Sequence, residues 1–270
     1  MNYDAQKSIA DAALAATIRE LAEQTNLTDA TIRTLVDETQ AQDQPILTYV
    51  VGQPASGKSA LIRQLPPGLN VDSDLLRLLF VTEETTLTGD PIAQDEDPRN
   101  LVATLGKSLL SAGMEARQSI YMEHTLSNST YVRMTIAEAI RRGYQVNAEV
   151  MAVPRKVSLV GIATRYLAET EMNAPYPRWT SLDVHDRAYA AVPRNLRIYP
   201  RLFTQIRVWD HQLKQRYKGD NVREAAAMVE RVRNEPLPDH LYDGLVDDLD
   251  ALSARDPLTT DVIGAIFVER

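Results

Sequence analysis

Eight consecutive residues have the types and spacing of a loop that binds phosphate. They are Gly52, Gln53, Pro54, Ala55, Ser56, Gly57, Lys58 and Ser59, a full match to the pattern G-x-x-x-x-G-K-[ST]. Glycines let such a loop point backbone N–H groups at phosphate oxygens, and the N-terminus of the following helix adds partial positive charge. Lys58 would reach the β- and γ-phosphates of a nucleoside triphosphate, and the Ser59 hydroxyl would bind Mg²⁺. The loop therefore predicts that a nucleoside triphosphate and Mg²⁺ bind here.

The residues on either side of this loop support the same interpretation. Residues 45–51 form an apolar, β-rich run that ends at Gly52, and residues 58–65 have the pattern of a helix start. A strand, a glycine-containing loop and a helix in that order are the context in which the motif has its meaning. The alternative is a chance match in a glycine-bearing turn, which these flanks disfavour.

Acidic side chains follow two further predicted strands. Asp72 and Asp74 come directly after residues 69–71, and Glu123, His124 and Thr125 follow residues 119–122. Ligands of open α/β sheets bind beyond the carboxyl ends of the strands, so these side chains should lie near the phosphate loop. One acid could bind Mg²⁺, for which Asp72 is a candidate, and another could accept the proton of an attacking hydroxyl. A helix cap is the alternative role for Asp72 or Asp74.

Two arginines could stabilise charge on a transferring phosphoryl group. Arg165 lies within a helical pattern, and Arg178 lies in a loop after residues 175–177. Guanidinium groups suit this task because they bind phosphate oxygens in a planar, bidentate manner. Their spacing alone does not distinguish this role from ordinary solvation at the surface.

Strand and helix patterns alternate along the chain. Strands are predicted at 45–51, 69–71, 119–122, 146–153 and 205–209, and helices at about 4–24, from Thr28 onward, and at 99–116, 129–142, 155–173, 182–192, 221–233 and 239–253. Residues 82–98 are expected to form a surface loop. This order predicts an α/β fold of the P-loop kinase type, with a parallel sheet covered by helices on both faces. Residues 1–44 would be an N-terminal helical segment, 45–220 the kinase core and 221–270 an acidic C-terminal helical segment.

Composition limits the classes of protein to which the chain can belong. The 270 residues carry a formal net charge of −8 and include no cysteine, which excludes disulfides and thiolate metal sites. Residues 1–44 carry a net charge of −5 and residues 235–270 one of −7, which leaves +4 for the part between them. A cationic centre suits polyphosphate ligands, although acidic flanks can also simply aid solubility. We expect a cytoplasmic protein with no secretion signal, no membrane span and no nucleic-acid partner.

Several motifs between the first and the fifth strand resemble those of the zeta toxin family of bacterial toxin–antitoxin systems. The similar stretches are the phosphate loop 52–59, residues 71–74, Glu123 to Thr125, residues 142–154, Ser158, Gly161, Arg165-Tyr166, Arg178 and His185-Asp186. Three of these features are specific when taken together: the Gln-Pro pair in the loop, the stretch from Gly143-Tyr144 to residues 151–154, and the series of Arg165-Tyr166, Arg178 and His185-Asp186.

The resemblance implies an ATP-dependent kinase that phosphorylates the 3′-hydroxyl of the amino sugar in UDP-N-acetylglucosamine and so poisons cell-wall synthesis. It implies that Lys58 and Ser59 hold ATP and Mg²⁺ and that Asp74 is the general base. Glu123 and Thr125, with His124 between them, would contact the UDP-sugar. Arg165 and Arg178 would bind the phosphates, while a structural role is expected for His185 and Asp186.

Two positions depart from the family pattern and leave the acceptor open. His124 stands where the family usually has glycine, and Lys107 falls near the position of a substrate-binding glutamate. A kinase for another sugar nucleotide, a dinucleotide or a small metabolite is therefore an alternative. A nucleotide-binding regulator without catalysis is a second alternative, although it would not need Glu123, Arg165 or Arg178.

The resemblance also implies an antitoxin partner. Antitoxins of this family restrain their toxins by placing a helix over the ATP site. Residues 1–44 are acidic and helical and directly precede the first strand, so they could act as an antitoxin in cis, while a separate antitoxin would act in trans. An ordinary packing helix is the alternative for this segment.

Overall fold

Nine α-helices and six β-strands occur in the part of the chain that the computed structural model describes, which is residues 3–80, 99–126, 129–174 and 177–237 and the single positions 244, 247 and 251. The helices are α1 (Tyr3–Ala22), α2 (Leu27–Val36), α3 (Lys58–Ile62), α4 (Ser73–Leu78), α5 (Arg99–Glu115), α6 (Ser129–Arg141), α7 (Arg155–Glu171), α8 (Leu182–Leu196) and α9 (Val222–Arg233). The strands are β1 (Ile46–Val51), β2 (Leu69–Val71), β3 (Ile120–His124), β4 (Gln145–Met151), β5 (Gln205–Trp209) and β6 (Gln215–Gly219).

The six strands form one sheet in the order β2-β3-β1-β4-β5-β6. The first five strands are mutually parallel, and β6 pairs with β5 in the antiparallel direction. From β1 the chain crosses to β2 on one side, and it later reaches β4 on the other side. The carboxyl end of β1 therefore lies at a topological switch point, where open α/β sheets bind their ligands.

Both faces of the sheet are covered, as the alternation of side chains along β1 shows. Leu47, Tyr49 and Val51 belong to the main core cluster with residues of α1, α2, α5 and α6, whereas Val50 packs on the opposite face with Leu61 of α3. Successive side chains of a strand point to opposite faces, so a strand buried on both sides must be apolar throughout, as β1 nearly is. The predicted α/β fold is confirmed.

Three details differ from the predicted elements. β3 continues through Glu123 and His124, which therefore lie at the end of the strand and not after it. The cap of α2 is Asn26, not Thr28, and its side chain accepts a hydrogen bond from the Asp29 amide at 2.8 Å. The sequence analysis missed β6, because this edge strand is polar and leaves one side unpaired, so it lacks the apolar alternation that marks a strand. The predicted loop 82–98 and most of the predicted helix 239–253 lie outside the described residues.

The N-terminal helices pack into the main core. Ala15 and Ile18 of α1 and Ala30 of α2 are buried within the main cluster. The Gln118 side chain, ahead of β3, donates to the carbonyl oxygens of Val36 at 2.6 Å and Thr39 at 3.1 Å, which holds the end of α2 against the sheet. Among the described helices, none is both long and apolar enough to cross a membrane.

Replacing Ile18 by alanine should destabilise the whole fold, because α1 shares its core. We expect Ile18→Ala to lower the free energy of unfolding in urea by about 2–4 kcal/mol, the usual cost of a large-to-small change at a filled site. Leu21→Ala on the same helix is the matched control: Leu21 is half-exposed, so its cost should stay below about 1 kcal/mol. Equal effects of the two substitutions would contradict a packed α1.

Candidate active site

A cavity of about 370 Å³ lies at the carboxyl edge of the sheet, beside the phosphate loop. Its walls bring together the loop, the ends of β2 and β3, and the arginines of α7 and the following loop. Its lining residues are Pro54 to Ala60, Asp72 to Asp74, Arg77, Glu123 to Thr125, Arg165, Arg178 to Thr180, and Val184. Every predicted catalytic and substrate-binding residue, including Asp74, His124 and Thr125, therefore faces one space.

Close approaches fix the shape of the phosphate loop. A Cβ on Gly52 would lie 2.3 Å from Ser56 Oγ and 3.0 Å from Met151 Cβ, so no side chain fits there. Gly57 precedes α3 with φ of +84°, a left-handed conformation that glycine adopts without strain. On α7, Gly161 lets the helix pass close to Ala55. The Ser56 hydroxyl is buried in this loop and has no hydrogen-bond partner among the described residues. A buried unsatisfied polar atom is costly, and an incoming phosphate oxygen would satisfy it.

Gln53 holds the loop from behind and does not line the cavity. Its amide nitrogen donates to the Val153 carbonyl oxygen at 3.0 Å and to Ser158 Oγ at 3.2 Å, and its amide oxygen accepts from Arg233 at 2.7 Å. Arg233 also lies over the Tyr189 ring, with its guanidinium carbon 4.1 Å from the ring centroid. The glutamine therefore connects the loop to the segment after β4, to α7 and to the end of α9.

His185 and Asp186 belong to the same hydrogen-bond network, in which His185 is buried and Asp186 half-exposed, in agreement with the structural role expected for them. His185 Nε2 lies 2.8 Å from Ser158 Oγ, and its Nδ1 lies 2.9 Å from Asp186 Oδ1. Arg155 donates to both carboxylate oxygens of Asp186, at 2.8 and 2.7 Å. Ser158 and His185 are fully buried, so the Ser-His-Asp arrangement cannot meet a substrate and instead joins α7 to α8.

Lys58 and Ser59 start α3 beneath the cavity. Lys58 Nζ donates to the carbonyl oxygens of Gln53 at 3.1 Å and Gly52 at 3.4 Å, and burial lowers the pKa of its ammonium against the opposing attraction of Glu123 and Asp74. Ser59 Oγ donates to Glu123 Oε1 at 3.0 Å. Burial and the neighbouring Asp72 carboxylate raise the pKa of Glu123, while Lys58 acts in the opposite direction.

The two acids after β2 have different environments. Asp72 is the cap: its Oδ1 accepts from the Asp74 amide at 2.9 Å, and its Oδ2 accepts from Lys7 of α1 at 2.6 Å. Asp74 turns its half-exposed carboxylate into the cavity, where Arg178 donates to it at 3.0 Å. Burial acts to raise the pKa of Asp74, but Arg178 and Arg165 outweigh it and hold that pKa well below its usual range. Asp74 is therefore ionised at neutral pH.

A buried acid that the sequence analysis missed orients Arg178. Glu169 of α7 is fully buried, and its carboxylate accepts from the Arg178 backbone amide at 2.7 Å and from its guanidinium Nε at 2.9 Å and Nη2. Arg165, one turn earlier on α7, donates to the Arg178 carbonyl oxygen at 3.4 Å. The spacing of four residues between Arg165 and Glu169 was the available signal, because it places both side chains on one face of a helix.

His124 and Lys107, the two residues that depart from the family pattern, both lie beside the ring of Tyr131. His124 stacks on Tyr131 with ring centroids 6.5 Å apart, and Lys107 Nζ lies 5.8 Å from the centroid of the same Tyr131 ring. His124 Nδ1 accepts a hydrogen bond from the Leu126 amide at 2.7 Å, which leaves Nε2 to carry the proton of the neutral ring. Burial, with a smaller contribution from Lys58, lowers the pKa of His124 to about 4.

Comparison with known proteins agrees with this fold. The family model described as Zeta toxin matches residues 29–221, which include the sheet, the phosphate loop and the cavity but leave out α1. No curated protein matches the chain.

Two solved structures have a similar fold. One comes from the PezAT chromosomal toxin–antitoxin system of the human pathogen Streptococcus pneumoniae, with a TM-score of 0.72 and 18% identity over 83% of this chain and 94% of that chain. The other is the AvrRxo1-ORF1:AvrRxo1-ORF2 complex with sulphate ions, with a TM-score of 0.50 and 17% identity over 93% of this chain and 83% of that chain. Because the family model covers well over half of the residues, the chain belongs to the zeta toxin family, whose members are kinase-like phosphotransferases.

Proposed function

We propose that this protein transfers the γ-phosphoryl group of ATP to a hydroxyl group of a sugar nucleotide. One observation carries the proposal: the phosphate loop, the ionised Asp74 carboxylate and the two arginines Arg165 and Arg178 line a single cavity. Such a cavity holds the donor phosphates beside a base for the acceptor and beside cations for the charge that develops on transfer.

The proposed reaction is an in-line displacement at the γ-phosphorus. Asp74 accepts the proton of the acceptor hydroxyl as its oxygen bonds to phosphorus, and the bond from phosphorus to the β,γ-bridging oxygen breaks to release ADP. Lys58 binds the β- and γ-phosphates, so it neutralises charge that passes to the leaving group. Arg165 and Arg178 would stabilise the equatorial oxygens, and their planar guanidinium groups suit that geometry.

The donor atoms beside the loop suit Mg²⁺ bound together with the nucleotide. The Ser59 hydroxyl would bind the ion, and Glu123, which accepts from Ser59 at 3.0 Å, would hold one of its water ligands. Asp72 is less available than the sequence suggested, because its oxygens already accept from Lys7 and the Asp74 amide. Among the described residues no group of three or more His, Cys, Asp or Glu side chains could hold a metal by itself. That fits Mg²⁺, which keeps several waters and binds largely through substrate phosphates, whose charge it offsets.

For the acceptor we propose UDP-N-acetylglucosamine, phosphorylated at the 3′-hydroxyl of the amino sugar, with the cell wall as the target. Membership of the zeta toxin family supports this choice. Thr125 and the apolar Val184 and Trp179 line the same cavity as Asp74, so they can contact a sugar ring. His124 favours a second candidate, a different sugar nucleotide or a dinucleotide, because it lines the cavity at a position where the family usually has glycine.

A nucleotide-binding regulator without catalysis explains less of the structure. It would need the phosphate loop, but it would gain nothing from a carboxylate kept ionised beside the loop by Arg178. Keeping several carboxylates and cations in one partly buried space lowers the stability of the fold. A catalytic role explains why the protein tolerates this cost.

We propose that a separate antitoxin restrains the protein in trans. The structural relative from Streptococcus pneumoniae belongs to a toxin–antitoxin system, and this chain has the same fold. An antitoxin in cis formed by residues 1–44 has less support, since no residue of the described part of that segment lines the cavity. We retain the division into residues 1–44, a kinase core at 45–220 and an acidic segment at 221–270 as a proposal.

Asp74→Asn and Lys58→Ala should abolish transfer for different reasons. The asparagine cannot accept a proton, so kcat should fall by about 10²- to 10⁴-fold while ATP still binds. The alanine removes the cation at the phosphates and should weaken ATP binding as well. The readout is labelled phosphate transferred from ATP, with ATP affinity measured by calorimetry. Asp183→Asn is the control, since Asp183 also lies in the first turn of a helix but is exposed, and it should behave like wild type. Full activity of Asp74→Asn would overturn the assigned mechanism.

A panel of acceptors separates the candidate functions. Labelled ATP is incubated with UDP-N-acetylglucosamine, other UDP-sugars and dinucleotides, and the product is mapped by mass spectrometry. Transfer to the 3′-hydroxyl of UDP-N-acetylglucosamine is the expected result. Preference for another acceptor, shifted toward UDP-N-acetylglucosamine in His124→Gly, would support the second candidate. ATP binding with no transfer to any acceptor would favour the regulator.

Stability should depend on pH through His124. Its folded pKa of about 4 lies below the ordinary value of 6.5, so the unfolded chain binds the extra proton between these two values. The contribution of His124 is thus present above pH 6.5 and is lost as the pH falls toward 4. Between pH 7 and pH 4.5 wild type should lose about 2 kcal/mol more unfolding free energy than His124→Gln, measured in urea. The same loss in both proteins would show that His124 does not titrate in this way.

A further inference from the structure

The short helix α4 carries Asp74, and its two ends are both bonded to α1. At the start of α4, Lys7 Nζ of α1 lies 2.6 Å from Asp72 Oδ2. At its end, Arg19 Nη1 of α1 donates to the Leu78 carbonyl oxygen at 2.7 Å. The helix between these contacts has six residues. A helix of this length is not stable by itself and depends on packing and on partners for its terminal backbone groups.

The contact at the start of α4 reaches the backbone of Asp74. Asp72 has one carboxylate oxygen on Lys7 and the other on the Asp74 amide, at 2.9 Å. Lys7 also lies 2.5 Å from Asp11 Oδ2, one turn further along α1. The side chains of Lys7 and Asp72 are 13% and 8% exposed, so the pair is shielded from water and Asp72 would be left as a buried, unpaired charge without the lysine. Lys7 therefore fixes one oxygen of the Asp72 carboxylate, whose other oxygen accepts from the Asp74 amide.

The contact at the end of α4 joins opposite charges: the positive guanidinium group of Arg19 and the partly negative end of the helix. The last carbonyl oxygens of a helix lack intrahelical partners and carry partial negative charge, so a guanidinium group bonded there stabilises the helix end. Between the two contacts, Leu75, Leu76 and Leu78 of α4 and Ile18 of α1 belong to one core cluster. Asp74 is thus held through its backbone from α1 and through its carboxylate from Arg178.

We propose that α1 is a positive part of the catalytic machinery, in which Lys7 and Arg19 act as positioning residues that set where α4 presents Asp74. The match to the family model begins at residue 29, after the end of α1. The expected change in kcat rests on the proposed function. The expected loss of support for α4 does not. The two roles of the N-terminal segment predict opposite effects on activity. If α1 positions Asp74, weakening its contacts should lower activity, whereas weakening an inhibitory segment should raise it.

The test uses the full-length protein with Lys7→Gln, which removes the charge but keeps a polar side chain. We expect kcat for phosphate transfer to fall about tenfold or more, because a small displacement of a catalytic group has a large effect on rate, while KM for ATP changes by less than about threefold. Lys7→Arg should restore most of the rate. Arg33→Gln is the matched control, since Arg33 is an exposed cation of the neighbouring α2, and it should have no effect. Arg19→Gln should resemble Lys7→Gln in its kinetics.

Amide hydrogen exchange gives a readout that does not need activity. In Lys7→Gln, measured well below its unfolding temperature, the amides of residues 73–78 and above all that of Asp74 should exchange faster than in wild type. Unchanged exchange there, or a kcat within about twofold of wild type, would overturn the positioning role. A gain in transfer in Lys7→Gln or Arg19→Gln would also overturn it. If wild type transfers phosphate to no acceptor, the proposed function fails while the exchange data still decide whether α1 holds α4.

Discussion

The site depends on keeping several ionised groups together in a partly buried space. This is possible because each carboxylate among them is paired with a lysine or an arginine. Asp11 pairs with Lys7, Lys7 with Asp72, and the Asp74 carboxylate with Arg178, whose other partner is the buried Glu169. An unpaired charge in such a place would cost several kcal/mol. These six residues come from five parts of the chain: α1, the end of β2, α4, the loop after α7 and α7 itself. Neutralising the site therefore also joins the elements that build it.

The phosphate loop is held in a different way, by the hydrogen bonds of the neutral Gln53 side chain behind it. The amide nitrogen of Gln53 donates to Val153 and Ser158, and its amide oxygen accepts from Arg233. These bonds join the loop to the segment after β4, to α7 and to α9, and they place no charged side chain between the loop and the phosphates. The cationic Arg233 is removed from the cavity and rests on Tyr189. As a result the inner surface of the loop presents backbone groups, the Ser56 hydroxyl and Lys58, which are the groups that an anion needs.

The sequence predicted the sheet and most of the site because both depend on local signals. The apolar run at residues 46–51 and the alternating segment at residues 205–209 identify strands, and the loop motif fixes where the phosphates would bind. Strand ends then place Asp74 and Glu123 beside it. Glu169, Lys7 and Arg233 were not recognised as partners of the site, because each acts on residues that are close only after the chain has folded, and no pattern of spacing marks a contact such as that between Arg233 and Gln53. Polar β6 was missed for the related reason that an edge strand needs no apolar alternation.

Arg178 bonds to both Glu169 and Asp74, so it can link the binding of ATP to the basicity of the Asp74 carboxylate. Its bonds to Glu169 involve both the backbone amide and the guanidinium group and are buried, whereas its bond to Asp74 reaches a half-exposed carboxylate. In the proposed reaction a phosphate oxygen competes with Asp74 for Arg178, and Glu169 keeps the arginine in reach of both. As Arg178 turns to the phosphate, the pKa of Asp74 rises from its depressed value, and the carboxylate becomes a stronger base. Asp74 would thus be held by a cation while no donor is bound and would be released to accept a proton when the phosphate arrives, provided that α4 keeps it in place.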